Sequence, residues 1–309
     1  MDAVGTLLDD LARRGGTAAV GALVRDHGRS TVDRAVTGGE VDRVGWGVCA
    51  LATTPTALRA AASVRGVVSH SSAAQLWMVE PLHRPGRVCV TVPRTARRRR
   101  PLPGTHLRWA DLSAADVEGP VTSPLRTALD CARSMPFPEA LGIADGFLRR
   151  GLVTPGELVS AAVALRGAGR AAAVTVAAAA DGRSANPFES ALRAVVLRSG
   201  AGSFVPQVVV DAGPLGLVRP DLVDEGRCLV LEADSFAWHG SRPALVRDCE
   251  RYNALVLAGF LVLRFTWEQV VGAPEGVAEA VRRAVALVDA GRGERGDLQK
   301  CRPGPRSRP

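Results

Sequence analysis

Apolar positions 4, 7, 8 and 11 recur at helical spacing, and the run ends on Arg13, Arg14 and a Gly15-Gly16 break, which predicts a short first helix. Thr17 stands where it would cap a second helix that stops at Gly28, and Ser30 where it would cap a third that stops at Gly38-Gly39. Alternating residues 41–44 and 46–51 read as two short strands that turn at Gly45. Helix, tight turn, helix and two-stranded wing is the order of a winged helix-turn-helix, expected here over residues 1–55, whose second helix would enter the DNA major groove. Arg29, Arg34 and Arg43 would then face the duplex. The competing reading is a small helical cap that binds protein or no partner.

Residues 56–168 mix both periods and predict an α/β region. VCVTVP (88–93) is a strand, THLRWADL (105–112) a candidate strand, and VTSPLRTALDCARSM (121–135) becomes helical after a cap at Ser123. Between the strands, RTARRRRPLPG carries five arginines, Arg94 and Arg97 to Arg100, in a loop bounded by Pro and Gly. It reads as a phosphate contact or as a solvated basic loop. The Ala-rich stretch 171–183 is a helix packed on a neighbour or a connector, and a domain boundary is expected near it, over 169–185.

From residue 186 a new unit starts, expected to run to 291. NPFESALRAVVLRSG predicts a helix capped at Asn186 with Pro187 in its first turn. FVPQVVV, GLVRPDLVD and RCLVLEAD read as three strands, RPALVRDCERYNALVLAG as a long amphipathic helix, FLVLRFTW as a fourth strand, and residues 274–290 as a last helix. Residues 292–309 lack an apolar period and are expected to be disordered. The predicted class is α/β, α+β overall, with a restriction-endonuclease-like C-terminal domain built on a mixed sheet.

Composition changes this picture in one respect. The formal net charge is +8, and Lys300 is the sole lysine, so the positive charge is arginine. Its planar fork grips phosphate at two points, although GC-rich codons supply the same bias. The six cysteines are scattered without a close pair, which argues against a zinc knuckle and for reduced thiols. The acidic start and the lack of a long apolar run predict a cytoplasmic protein with no membrane segment.

GEVDRVGWGVCAL, SHSSAAQLW, VTSPLRTALD and ADGFLRRGLVTPGEL, within residues 1–165, resemble the AbiEi family of bacterial type IV antitoxins. That resemblance implies DNA binding through a winged helix, repression of the protein's own operon, a cognate toxin as partner, and no catalytic residue in this half. Asp145, inside ADGFLRRG, reads as helix surface.

Candidate chemistry lies further on. If the hairpin turns at Glu225-Gly226, Asp224 opposes Arg227 and Asp221 opposes Val230. Asp221, Glu232 and Asp234 then share one face, with Glu232 diagonal to Asp221 at about 7–8 Å. Carboxylates on an apolar strand are costly unless a cation compensates them. Magnesium, or manganese, suits so small a set. A helix with Glu189, a strand with Pro-Asp and a strand with Glu-x-Asp resemble the PD-(D/E)XK nuclease superfamily. Over residues 186–287, NPFESALRAVVLRSG, RPDLVDEGRCLVLEADSFAWHG and RDCERYNALVLAGFLVLRFTWEQV look like a family related to very-short-patch-repair (Vsr) endonucleases.

By that resemblance Asp221 is the metal-binding aspartate, Glu189 the acid of the first helix, Glu232 and Asp234 the second acidic strand, and His239 the proton-transferring histidine. Asp248, Arg251 and Asn253 match polar positions of the long helix, and Arg247, Arg251 and Asn253 become candidate DNA contacts. Asp234 stands where the superfamily has lysine, Ser235 replaces a frequent glycine, and Tyr252 a frequent acid. Two functions follow as expectations: a magnesium-dependent DNA endonuclease delivered by a winged helix, or a non-catalytic DNA-binding regulator that retains a nuclease fold.

Overall fold

The computed structural model describes residues 2–97, 99–234 and 242–295. The fold is mixed α/β, α+β overall, and the chain divides into two compact units, Met1–Cys131 and Ala132–Pro309.

The first unit opens with α1 (Ala3–Arg13), β1 (Thr17–Ala19), α2 (Val20–His27), α3 (Arg29–Thr37), β2 (Val41–Gly45) and β3 (Val48–Leu51). Asp2 caps α1 by accepting from the Val4 amide, and Leu7 and Leu11 enter a core with Leu23, Val32, Ala35, Val41 and Cys49. Two expected caps are corrected. Thr17 extends into β1, opposite Ala50, so that β3 lies between β1 and β2 in an antiparallel sheet. Gly28, at φ 80, turns the chain between α2 and α3 in one residue, and Ser30 falls inside the first turn of α3. The β2–β3 turn is Trp46-Gly47 rather than Gly45, because Gly45 itself pairs with Val48. A Cβ at Gly45 would meet the Ser63 backbone at 2.7 Å, so glycine is what allows the β2–β3 hairpin to pack directly on the next helix.

That helix, α4 (Thr56–Val64), precedes β4 (Val67–Val68), α5 (His70–Leu76), β5 (Val88–Val92), β6 (Thr105–Trp109), β7 (Val117–Glu118), β8 (Val121–Thr122) and α6 (Pro124–Ser134). The five strands lie in the order β6-β5-β4-β8-β7, with β6 and β7 at the edges. Val68, Val90 and Val92 pack against Ala60, Ala61 and Val64 of α4.

The second unit contains α7 (Phe137–Arg149), α8 (Pro155–Ala164), α9 (Arg170–Ala179) and α10 (Pro187–Ser199). The Ala-rich stretch is therefore α9, packed on α7 and α8, and the chain divides inside α6 rather than near it. Asp145 is fully buried, not surface. Both its carboxylate oxygens accept from Arg193 Nη2 of α10, at 2.8 and 2.7 Å, and Oδ1 also accepts from the Asp181 amide. Arg193 Nη1 donates to Ala179 O at the end of α9. One ion pair thus gathers α7, α9 and α10. Nothing in the local pattern of ADGFLRRG marks a partner 48 residues downstream.

After α10 come β9 (Val205–Pro206), β10 (Val210–Asp211), β11 (Leu217–Val218), β12 (Leu222–Asp224), β13 (Leu229–Asp234), α11 (Arg242–Leu257), β14 (Leu261–Thr266) and α12 (Pro274–Arg295). The mixed sheet has the order β14-β13-β12-β9, with β13 and β14 parallel. FVPQVVV is not one strand, because Gln207 adopts φ 55 directly after Pro206 and sends the chain into the separate β10–β11 ribbon. Helix α12 continues through Arg295, past the expected start of the tail, and residues 296–309 lie outside the described residues. Cys49, Cys89, Cys131 and Cys249 are free, whereas Cys228 is disulfide-bonded, which corrects the expectation of reduced thiols throughout; the spacing carried no sign of it. Among the described residues no helix is long and apolar enough to cross a membrane.

Removing one partner of a buried ion pair strands the other, at about 3–5 kcal/mol. Arg193→Met is therefore expected to lower unfolding free energy by that order in urea titration, and the Asp145→Leu/Arg193→Met double variant by distinctly less. A single-variant loss below about 1 kcal/mol would contradict the clamp.

Candidate active site

Strands β12 and β13 pair as Leu222 with Leu231, Val223 with Val230 and Asp224 with Leu229. The register expected from a two-residue turn is corrected by two positions, because the turn spans 225–228: Arg227 N–H bonds Asp224 O, and Cys228, at φ 52, bonds Glu225 O. A slip of two residues keeps every side chain on its face. Continued by one pair, the register puts Asp221 opposite Glu232, and the Ala233 amide donates to Asp221 Oδ2 at 2.8 Å. The two carboxylates are thus closer than the expected diagonal.

One face of the sheet explains the grouping. Val223, Val230 and Val262 lie side by side under Leu255 of α11. Two residues along each strand, on the same face, this apolar row becomes Asp221, Glu232 and Arg264, with Glu232 paired to Arg264 across the parallel β13–β14 ladder. The face begins as core and ends as a charged cluster.

Glu189 reaches the cluster from the first turn of α10. Asn186 caps this helix, accepting from the Phe188 and Glu189 amides. Glu189 in turn accepts from the Ala185 amide at 2.7 Å and from Asn186 Nδ2 at 2.8 Å. Gln207 Nε2 bridges Glu189 Oε2 at 3.0 Å and Asp221 Oδ1 at 3.4 Å. Its left-handed backbone and its amide bond to Asp221 O hold it there.

The electrostatics follow from this packing. Burial, and next the Asp221 carboxylate, pushes Glu232 up to about 8. Burial and Asp221 likewise push Glu189 up to about 7. Asp221 is raised as well, chiefly by burial, against the opposing pull of the Ala233 amide and Arg251. Near neutral pH Glu232, and in part Glu189, retain protons that ordinary carboxylates have lost.

Arg251, expected as a phosphate contact, donates instead to Glu232 Oε1 at 2.9 Å and to Arg219 O at 3.0 Å. Asp234, expected as a metal ligand, pairs with Arg264 at 2.6 Å. Arg264 also lies 3.9 Å from Asp248 and 5.9 Å from the Tyr252 ring centre. Arg247 and Asn253 are exposed on α11, and neither bonds the carboxylates among the described residues. His239 lies outside the described residues. In the first unit Arg29 and Arg34 are exposed on α3, and Arg43 on β2 pairs with Asp33 at 3.0 Å.

Two members of the cluster were not anticipated. Arg264 was findable, since FLVLRFT sets a charge on an apolar strand as conspicuously as LVLEAD does. Gln207 was not, because its place depends on a backbone turn that Pro-Gln does not announce.

Among the described residues no group of three or more His, Cys, Asp and Glu side chains is arranged to hold a metal ion. The expected trio of Asp221, Glu232 and Asp234 reduces to an opposed pair, Asp221 and Glu232, with Asp234 committed to Arg264. That pair still fits magnesium, which takes one or two protein carboxylates and keeps its remaining positions for water and phosphate oxygen.

No family model matches the chain. Two curated relatives, both uncharacterized Mycobacterium tuberculosis proteins, MT2308 of strain CDC 1551 and Rv2248 of strain H37Rv, are 28% identical over 163 residues, which is 52% of this chain and 60% of theirs. The chain thus spans about 60% of the length of the curated relatives it matches. Among solved structures, the RV2827C protein from M. tuberculosis is similar at a TM-score of 0.33 and 14% identity, covering 67% of this chain and 84% of that one.

Raised carboxyl pKa values mean that the folded state binds more protons than the unfolded state, whose value is near 4.5. Their contribution to stability is full below that value and is lost as pH rises through about 7 and 8. Metal-free protein should therefore melt at progressively lower temperature across this window, and Glu232→Gln should flatten the dependence. A profile unchanged by that substitution would refute the assignment.

Proposed function

We propose that the chain is a divalent-metal-dependent DNA endonuclease, related to the Vsr-like branch of the PD-(D/E)XK superfamily, and delivered to duplex DNA by an AbiEi-like winged helix in its first unit. One observation carries this reading: Asp221 and Glu232 oppose each other on adjacent strands, half-buried, and burial raises both carboxyls, Glu232 to about 8. Such a pair is costly to a fold and serves a cation.

Asp221 and Glu232 would hold a magnesium or manganese ion, whose contribution would be to neutralise charge on the phosphodiester undergoing hydrolysis. Asp221 and Glu232 would have to be deprotonated to hold it, so metal affinity would rise with pH. Gln207 keeps Asp221 and Glu189 in place through its two donated hydrogen bonds. Glu189, with a value near 7, is able to hold or release a proton beside the reacting phosphate. Arg264 sets a permanent positive charge beside the acidic strand, on the strand parallel to it, where the superfamily's lysine is missing from position 234. His239 remains the proton-transfer candidate from sequence.

A second reading has its own support. Arg251 and Arg264 already bond Glu232 and Asp234, so these two acids have partners without a metal. That suits a non-catalytic DNA-binding regulator, antitoxin-like, with a cognate toxin as partner.

With purified full-length chain and supercoiled plasmid, magnesium or manganese is expected to produce nicking that Asp221→Ala reduces by at least a hundredfold. Duplex binding in gel shifts with no cleavage in any divalent metal would replace the nuclease by the regulator.

A further inference from the structure

The chain's formal net charge of +8 comes from 39 Lys and Arg against 31 Asp and Glu. Residues 81–110 contain eight arginines and no acid, so the other 31 basic residues are matched by the 31 acids. The segment's charge alone equals that of the whole chain; residues 292–309 add six basic residues against two acids, an excess that the rest of the chain offsets. The unit expected to enter the major groove is nearly neutral, with eight arginines and seven acids over residues 1–65.

The fold displays the segment rather than burying it. β6 is the edge strand of the five-stranded sheet, and it ends in exposed Arg108 and Trp109, the latter 50% accessible. The crossover from β5 to β6 is pinned at two points: Ala96 packs on the core of Val68, Val90 and Val92, and Leu102 on Val44, Val48 and Ala50 of the wing strands. Arg97 and Arg100 lie between these anchors and are exposed, as are Arg84 and Arg87 before β5. Among the described residues the segment's one ion pair is Arg94 with Asp111, at 3.7 Å and largely exposed on both sides. A concentration of unpaired guanidinium groups on an exposed edge is the electrostatic footprint of a polyanion.

We propose that the β5–β6 crossover and the β6 edge form a second nucleic-acid surface, which grips the phosphates of duplex DNA beside the winged unit. It rests on the DNA-binding reading above and divides its labour. The arginine segment supplies sequence-independent affinity, and the neutral winged unit supplies contacts to the bases. Duplex is favoured over a single strand because Leu102 seats the arginine loop on the wing strands, whose turn carries Trp46, 88% exposed. Single-strand binding would call for a row of aromatic platforms, and the segment has one tryptophan.

The test is the salt dependence of full-length chain binding to a labelled duplex, for wild type, Arg97→Gln/Arg100→Gln/Arg108→Gln and Arg29→Gln/Arg34→Gln, each checked for an unchanged melting curve. Each phosphate contact contributes about 0.9 to the slope of log affinity against log salt, so the first variant is expected to lower the slope by about 2–3 and to weaken all sequences alike. An unchanged slope overturns the proposal, and if the α3 variant still loses binding the winged-unit reading stands alone. Preference for a single-stranded oligonucleotide over the duplex also overturns it. Absence of duplex binding by wild type overturns both.

Discussion

The second unit is organised around a conflict between charge and burial. Pairing β12 with β13 sets Asp221 against Glu232 at the end of a row whose other members are valines. The hydrophobic contacts that fix the register cannot be kept without bringing the acids together, since a one-residue slip would turn the valines to the opposite face. The surroundings answer with donors: the Ala233 amide, Gln207, Arg251 and, across the parallel ladder, Arg264. Even so burial and the Asp221 charge leave Glu189 and Glu232 raised to about 7 and about 8.

Elements with a strong period were legible in sequence. α1, α10, α11, β5, β13 and β14 all lie where apolar spacing put them. The face shared by Asp221 and Glu232 was legible too, because alternation survives an error of two in the turn. What was lost depended on backbone torsion or on distant partners. Thr17 forms a strand because Ala50 offers it a ladder, and Gln207 leaves its strand because its φ is positive. Asp145 is interior because Arg193 reaches it from another helix. Local pattern carries no record of such pairings.

The charged residues therefore fall into two kinds with different physics. Those of the Asp145–Arg193 pair are enclosed, and those of the carboxylate cluster are half-buried and held by named partners. Arg84, Arg87, Arg94, Arg97, Arg100 and Arg108 face water, with no acid within residues 81–110. Mobile ions screen the second kind within about 10 Å at 0.1 M salt and reach the first kind far less.

The enclosed pair carries a practical corollary. Both members of the Asp145–Arg193 bridge are under a tenth accessible, so brine strong enough to screen the exposed arginines of the β6 edge weakens the helical bolt far less. Ionic strength can accordingly be raised during handling of the protein at little cost to this half of the molecule.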